Sequence, residues 1–183
     1  MTEDEQDRLC VERCLQGEAE AFGGILDRYE RPVYNLVVRL GADREEARDI
    51  CQQVFINIYQ HLASYDPSRR FFSWLYRAAV NETINHMKSR RSWEPLEGQR
   101  VENREPDPEQ ALQAVEQERE IQRGLLQLEM KYRLAVIAYH FLQLSYEEAA
   151  YVLSVPERTV KSRLFTARQQ LREILEERRH ARR

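Results

Sequence analysis

The sequence predicts an all-α protein of two small helical domains, the first a small bundle and the second ending in a helix-turn-helix, joined by an acidic flexible linker. Three observations carry that expectation. Apolar residues recur at three- and four-residue steps on both sides of the middle of the chain; no stretch shows the period of two that a half-buried strand needs; and the segment between the periodic halves holds three of the six prolines. The boundaries read as residues 1–91, 92–110 and 111–183. A chain of 183 residues with six glycines and 32% charged side chains has room for two such units.

The first 20 residues are acidic and polar, unlike a secretory signal. No apolar run approaches the roughly 18 residues that span a bilayer. A cytoplasmic protein without membrane insertion is expected. Cys10 and Cys14 are four apart and would share a helical face, whereas Cys51 is distant. An odd cysteine count with no histidine close by points to packing or surface thiols rather than a disulfide framework or a metal site.

Phe22, Leu26, Tyr29, Val33, Leu36 and Leu40 form the first apolar stripe, which Pro32 should kink or break. The clearest helix follows in "DREEARDICQQVFINIYQHLASYD". Its stripe is Ala47, Ile50, Cys51, Val54, Phe55, Ile58 and Leu62, and Asp43 with Glu46 offers a capping box. "YDPSRR" reads as a turn through Asp66 and Pro67. The next helix, with Trp74, Leu75, Ala78 and Ala79, completes a small bundle.

Residues 68–91, "SRRFFSWLYRAAVNETINHMKSRR", gather Arg69, Arg70, Arg77, Lys88, Arg90 and Arg91 against Glu82 alone, net +5. Phe71, Phe72, Trp74 and Tyr76 do not share one helical face, so some of these rings should stand near solvent among the arginines. Single-stranded nucleic acid is held that way, with cations for phosphates and flat faces for unstacked bases, each stacked base contributing about 1–3 kcal/mol. The plainer reading makes Trp74 and Leu75 core and the cations merely solubilising.

"SWEPLEGQRVENREPDPEQ" has no apolar periodicity and is net −4 over residues 92–110, so it reads as a solvated tether that leaves the halves at undefined separation. Helical rhythm resumes at Leu112, Val115, Ile121, Leu125 and Leu128, and "RLAVIAYHFL" is apolar enough for a core helix, with His140 packed inside it. Ser145 and Glu148 cap "YEEAAYVL". After a turn at "SV" comes "PERTVKSRLFTARQQLREIL", with its stripe at Val160, Leu164, Ala167, Leu171 and Leu175. Two helices joined by so short a turn, the second basic, make a helix-turn-helix. Ser154 stands where such turns usually hold glycine. Arg158, Lys161, Ser162, Arg163, Phe165 and Arg168 point outward, able to meet phosphates, guanine edges and a thymine methyl. A basic face that is only solvated would have the same composition. Residues 156–183 are net +5, so the overall charge of −3 conceals two basic patches.

Duplex reading in one half and single-strand capture in the other suggest promoter opening. "ARDICQQVF", "FFSWLYRAAVN" and "LSYEEAAYVLSVPERTVKSRLFTAR" resemble, in order and spacing, the bacterial RNA polymerase sigma factors of the compact extracytoplasmic-function type. The resemblance covers about residues 18–91 and 120–175. It implies that Asp49, Gln52, Gln53, Phe55 and Asn57 grip the clamp helices of the polymerase largest subunit, with the second half on the flap. It implies that Arg69, Arg70, Phe71, Phe72, Trp74, Tyr76, Arg77, Asn81, Asn85 and Lys88 capture and melt the −10 element. It assigns −35 reading to Arg158, Thr159, Lys161, Ser162, Arg163, Phe165, Thr166 and Arg168, and threads the linker toward the active centre. An anti-sigma factor is an implied partner beside core polymerase and promoter DNA.

Gln53, Asn85, Lys88, Glu129 and Thr166 depart from residues frequent in that family and bear on promoter sequence and contact strength. No enzymatic activity and no cofactor are expected. His61, His86, His140 and His180 are scattered, with no paired carboxylates or glycine-rich phosphate loop. An ordinary helix-turn-helix regulator would leave "RRFFSWLY" without work, and a sigma mimic that only sequesters an anti-sigma factor would not need Lys161, Ser162, Arg163 and Phe165.

Overall fold

Helix α1 (Glu3–Leu15) opens a chain whose computed structural model describes residues 2–91 and 110–181. It starts at a reciprocal cap in which Glu5 N–H donates to the Thr2 hydroxyl and Thr2 N–H donates to the Glu5 carboxylate. It docks through Val11 and, unusually, through a buried carboxylate. Asp7 is fully buried, and its carboxylate accepts from the Tyr29 hydroxyl at 2.5 Å and from Arg28 Nε at 2.9 Å. Burial pushes the Asp7 carboxyl above the usual range although Tyr29 and Arg28 pull it down, and burial followed by Asp7 drives the Tyr29 hydroxyl up.

Helix α2 (Gly23–Leu40) runs through Pro32, where a kink or break is expected, and is not broken. Proline removes one bond to the residue four back. Ile25, Tyr29, Val33, Leu36 and Val37 are buried on both sides of it and hold the helix against the core. The helix ends at Gly41, whose φ of +115° suits glycine. Helix α3 (Arg44–Gln60) carries the predicted Asp43–Glu46 capping box, and its predicted stripe is buried from Ala47 to Ile58. Helix α4 (Phe71–Arg91) closes the bundle through Phe71, Leu75, Tyr76, Ala79 and Val80. Short 3-10 turns at Ala19–Phe22 and Leu62–Ser64 join these helices.

The linker expected at 92–110 lies outside the described residues except for Gln110, which begins α5 (Gln110–Gln127). Helix α6 (Met130–Val136) buries Leu134, Ala135 and Val136, as the apolar run predicts, then widens into a π-helical turn at Ile137–Phe141. Helix α7 (Tyr146–Leu153) has the predicted Ser145–Glu148 capping box. Ser154 takes the left-handed conformation at φ 53°, and α8 (Glu157–Ala181) follows. Val160, Leu164 and Ala167 are buried, while Leu171 is half-buried.

The halves are not left at undefined separation; they pack together in two places. At the first, the Arg133 guanidinium donates to the carbonyls of Leu125, Leu126 and Leu128 at the end of α5, and also to Leu40 O at the end of α2, 2.6 Å away. Two helix C-termini thereby share one cation. Gln122 Nε2 adds a bond to Val38 O at 3.2 Å, and Arg39 pairs with Glu118 and covers the Phe141 ring. A side chain at Gly41 would meet Leu126 and Arg133 at 3.1 and 3.2 Å, so glycine permits the close approach. At the second place, α7 lies against the start of α4 and the loop before it.

Candidate nucleic-acid interface

The loop at 65–70 is shaped by its own bonds. Ser68 N–H donates to Asp66 Oδ1 at 2.9 Å, and the Tyr65 hydroxyl donates to Arg69 O at 2.6 Å. Ser68's side chain and backbone hold the Asp66 carboxyl below its usual range. The loop presents Arg69 and Arg70 outward. Arg70 lies 4.0 Å from the Phe72 ring centroid, so cation and flat face stand together. Phe72, Trp74 and Arg77 are half-buried, and Asn81, Asn85 and Lys88 continue along α4 as exposed residues.

Two of the predicted aromatic residues do not belong to this surface. Phe71 is 1% exposed and sits against Tyr29, Tyr65 and Trp74. Tyr76 is also buried, edge-on to Tyr29, and burial pushes its hydroxyl up to about 12. Positions 71, 75, 76, 79 and 80 form the inward stripe of α4, which leaves Phe72 and Trp74 at its margins. Of the four rings that the resemblance assigns to the −10 element, Phe71 and Tyr76 are core residues, and only Phe72 and Trp74 remain accessible.

On α8, Arg158, Lys161, Ser162, Phe165 and Arg168 are exposed, while Thr159, Arg163 and Thr166 are half-buried. Phe165 holds 65% of its surface in water, flanked along the helix by the exposed Lys161, Ser162 and Arg168. Glu157 pairs with Lys161 at 2.7 Å and raises the pKa of its ammonium. Arg168 reaches the Tyr139 ring and His140 Nε2, the latter at 3.4 Å. His140, within the π segment, is exposed rather than packed, while Ile137 and Ala138 of the same segment are buried. Partial burial, followed by the Arg168 charge, lowers its pKa.

The outer face of α3 offers a third surface. Asp49, Gln52 and Gln53 are exposed, and Gln53 donates to Asn57 Oδ1. Asn57 turns inward and donates to Glu82 of α4 at 3.0 Å. Phe55 is 6% exposed and meets Phe22 edge-on, so its predicted contact with a partner is corrected to a core role. Ile56 and Tyr59 are the large apolar groups exposed on α3, one turn beyond Gln52. Steps of four and three from Gln52 would have found them.

Tyr151 was also overlooked. Its ring lies 4.4 Å from the Arg69 guanidinium and 4.8 Å from that of Arg77. It closes a cleft of about 290 Å³ lined also by Asn57, His61, Trp74 and Asn81. Beside this, Glu148 pairs with Arg70 at 3.3 Å. No group of residues able to hold a metal occurs among the described residues, where Cys10 and Cys14 are half-buried and Cys51 is buried. No described helix is long and apolar enough to cross a membrane.

Comparison with known proteins identifies the two halves of the chain. Residues 25–93 match the family described as Sigma-70 region 2, and residues 118–171 match Sigma-70, region 4. The chain is 33% identical to the RNA polymerase sigma-H factor of Pseudomonas aeruginosa, over 96% of its length and 97% of the relative's. It is 31% identical to the ECF RNA polymerase sigma factor SigW of Bacillus subtilis, over 90% and 94% of the two chains. Among solved structures, CnrH in complex with the cytosolic domain of CnrY has the same fold, with a TM-score of 0.73 at 23% identity, over 93% of this chain and 97% of that one. The sigma factor RpoE of Bartonella quintana, solved with the anti-sigma factor NepR, aligns with a TM-score of 0.69 at 24% identity, over 86% and 98%.

Proposed function

This chain belongs to the extracytoplasmic-function sigma factors of RNA polymerase, and we propose from that membership a division of labour among its three surfaces. As a sigma factor it is a non-enzymatic initiation subunit that brings core polymerase to promoters and helps open them. Residues 1–91 form the half that engages polymerase and the −10 element, residues 111–183 the half that reads −35, and 92–110 the connection. Arg158, Thr159, Lys161, Ser162, Arg163, Phe165, Thr166 and Arg168 of α8 read the duplex. Arg69, Arg70, Phe72, Trp74, Arg77, Asn81, Asn85 and Lys88 take the melted strand, with cations on phosphates and two rings under bases. Asp49, Gln52 and Gln53, extended by Ile56 and Tyr59, meet the clamp helices. An anti-sigma factor is the expected regulator, and the cytoplasm the place of work.

One observation carries this division above the rest: the exposed Phe165 on a basic helix, in a chain that also sets Phe72 and Trp74 among arginines. Run-off transcription with core polymerase, on promoters selected from a genomic library, tests it. The parent chain is expected to give specific start sites, and Arg163→Ala to lose −35 selectivity while still joining polymerase. Specific operator binding without polymerase, and no transcripts with it, would make the chain an ordinary regulator.

A further inference from the structure

The −10 face proposed above is occupied in this structure by the chain itself. Arg70 is held between two carboxylates, Asp4 of α1 at 2.9 Å and Glu148 of α7 at 3.3 Å. The Tyr151 ring lies against the guanidinium groups of Arg69 and Arg77 and closes the cleft that contains Trp74 and Asn81. Next to it a second cleft, of about 560 Å³, runs between Ser68, Arg69 and Arg70 on one side and Ser145, Glu147 and Glu148 on the other. Ser73 lines that cleft, and its buried hydroxyl has no hydrogen-bond partner. The contact is built from cations, carboxylates and one ring. The carboxylates and the ring stand to these cations as the phosphates and a base of a single strand would.

We propose that α7 masks the −10 face by imitating the strand it will later receive, with Glu148 in the place of a phosphate and Tyr151 in the place of a base. The proposal rests on the reading of that face as a single-strand site. The recognition helix stays open in the same arrangement, since Arg158, Lys161, Ser162 and Phe165 are all exposed. Closure therefore blocks melting contacts and spares duplex contacts. Release requires only that another acidic, flat-faced ligand or a pull on the second half displace α7.

The test uses the full chain carrying Glu148→Gln with Tyr151→Ala. Glutamine still serves the Ser145 cap, so α7 keeps its start, and circular dichroism checks the fold. Two quantities are read against the parent: the radius of gyration by small-angle X-ray scattering, and the affinity for a fluorescein-labelled, random-sequence single-stranded DNA dodecamer. The double variant is expected to be more extended and to bind the dodecamer about tenfold more tightly, because a masked site loses apparent affinity in proportion to its closed fraction. Equal binding by parent and variant, lost from both on adding Trp74→Ala, would overturn masking while leaving the face as a single-strand site. An extended variant that binds no better than buffer-level background would remove the single-strand reading, and the masking with it.

Discussion

Asp7 shows how one side chain can dock a helix. Removing it by Asp7→Ala should destabilise the protein by about 3 kcal/mol, the low end for breaking a buried pair, because Arg28 keeps 25% of its side chain in water. Asp7→Asn separates shape from charge. The folded carboxyl titrates above its ordinary 3.8, so the stability it contributes is complete below that value and is lost as pH rises through the folded pKa. Urea midpoints measured from about pH 4 to neutrality should show the parent losing ground to Asp7→Asn over that interval. At the −10 face, Phe72→Ala with Trp74→Ala should reduce open complexes more than closed ones, since stacking becomes available only after bases unpair. Permanganate reactivity of promoter thymines reads this, and a folded double variant with normal reactivity would return both rings to the core. On α8, Arg163→Ala should cost about 1–3 kcal/mol of discrimination at one base pair, measured by competition among −35 variants in the holoenzyme.

Among the elements, the turn between α7 and α8 carries a measurable strain. Ser154 sits at φ 53°, where a side chain costs about 1 kcal/mol or more. Ser154→Gly should raise thermal stability by about 1 kcal/mol at most, part of the gain being offset by glycine's freedom in the unfolded chain. This element was legible before any coordinates, because a capping box, a short turn and a basic stripe are all local signals. Helix α1 was not, although Thr2 and Glu5 spell its cap: beside a buried carboxylate only Val11 is a buried apolar residue, too little for a stripe. The start of α4 hid its register for a different reason. Which of Phe71, Phe72, Trp74 and Tyr76 face inward depends on where loop 65–70 releases the chain, and that is set by Tyr65 and Asp66 bonding back to the loop. Pro32 does not break α2 because the loss of one helix bond is local, while the burial that outweighs it comes from α3 and α4. On α3, replacing exposed Gln52 by glutamate or arginine should weaken polymerase binding without unfolding the bundle, as co-purification with core polymerase would show.

For the molecule as a whole, the segmental charges were readable and the packing of the halves was not. Arg133 grips main-chain carbonyls, which every sequence has, so no pattern of side chains announces the joint. The charges predict that the free chain binds promoter duplex weakly and with strong salt dependence, because each basic patch is only net +5 and screening acts at physiological salt. Gel shifts across a salt series, with and without core polymerase, should show tight selective binding only in the holoenzyme. The joint at Arg133 adds a consequence of its own. A guanidinium keeps its charge at any working pH, and its four acceptors here are half-shielded backbone oxygens, whereas the Arg70–Glu148 contact leaves 48% of the arginine side chain in water. Rising ionic strength should loosen the second contact well before the first. The molecule then opens like a book, its spine at the ends of α2 and α5 and its free margin at α7, so that the page bearing the −10 residues is uncovered while the binding still holds.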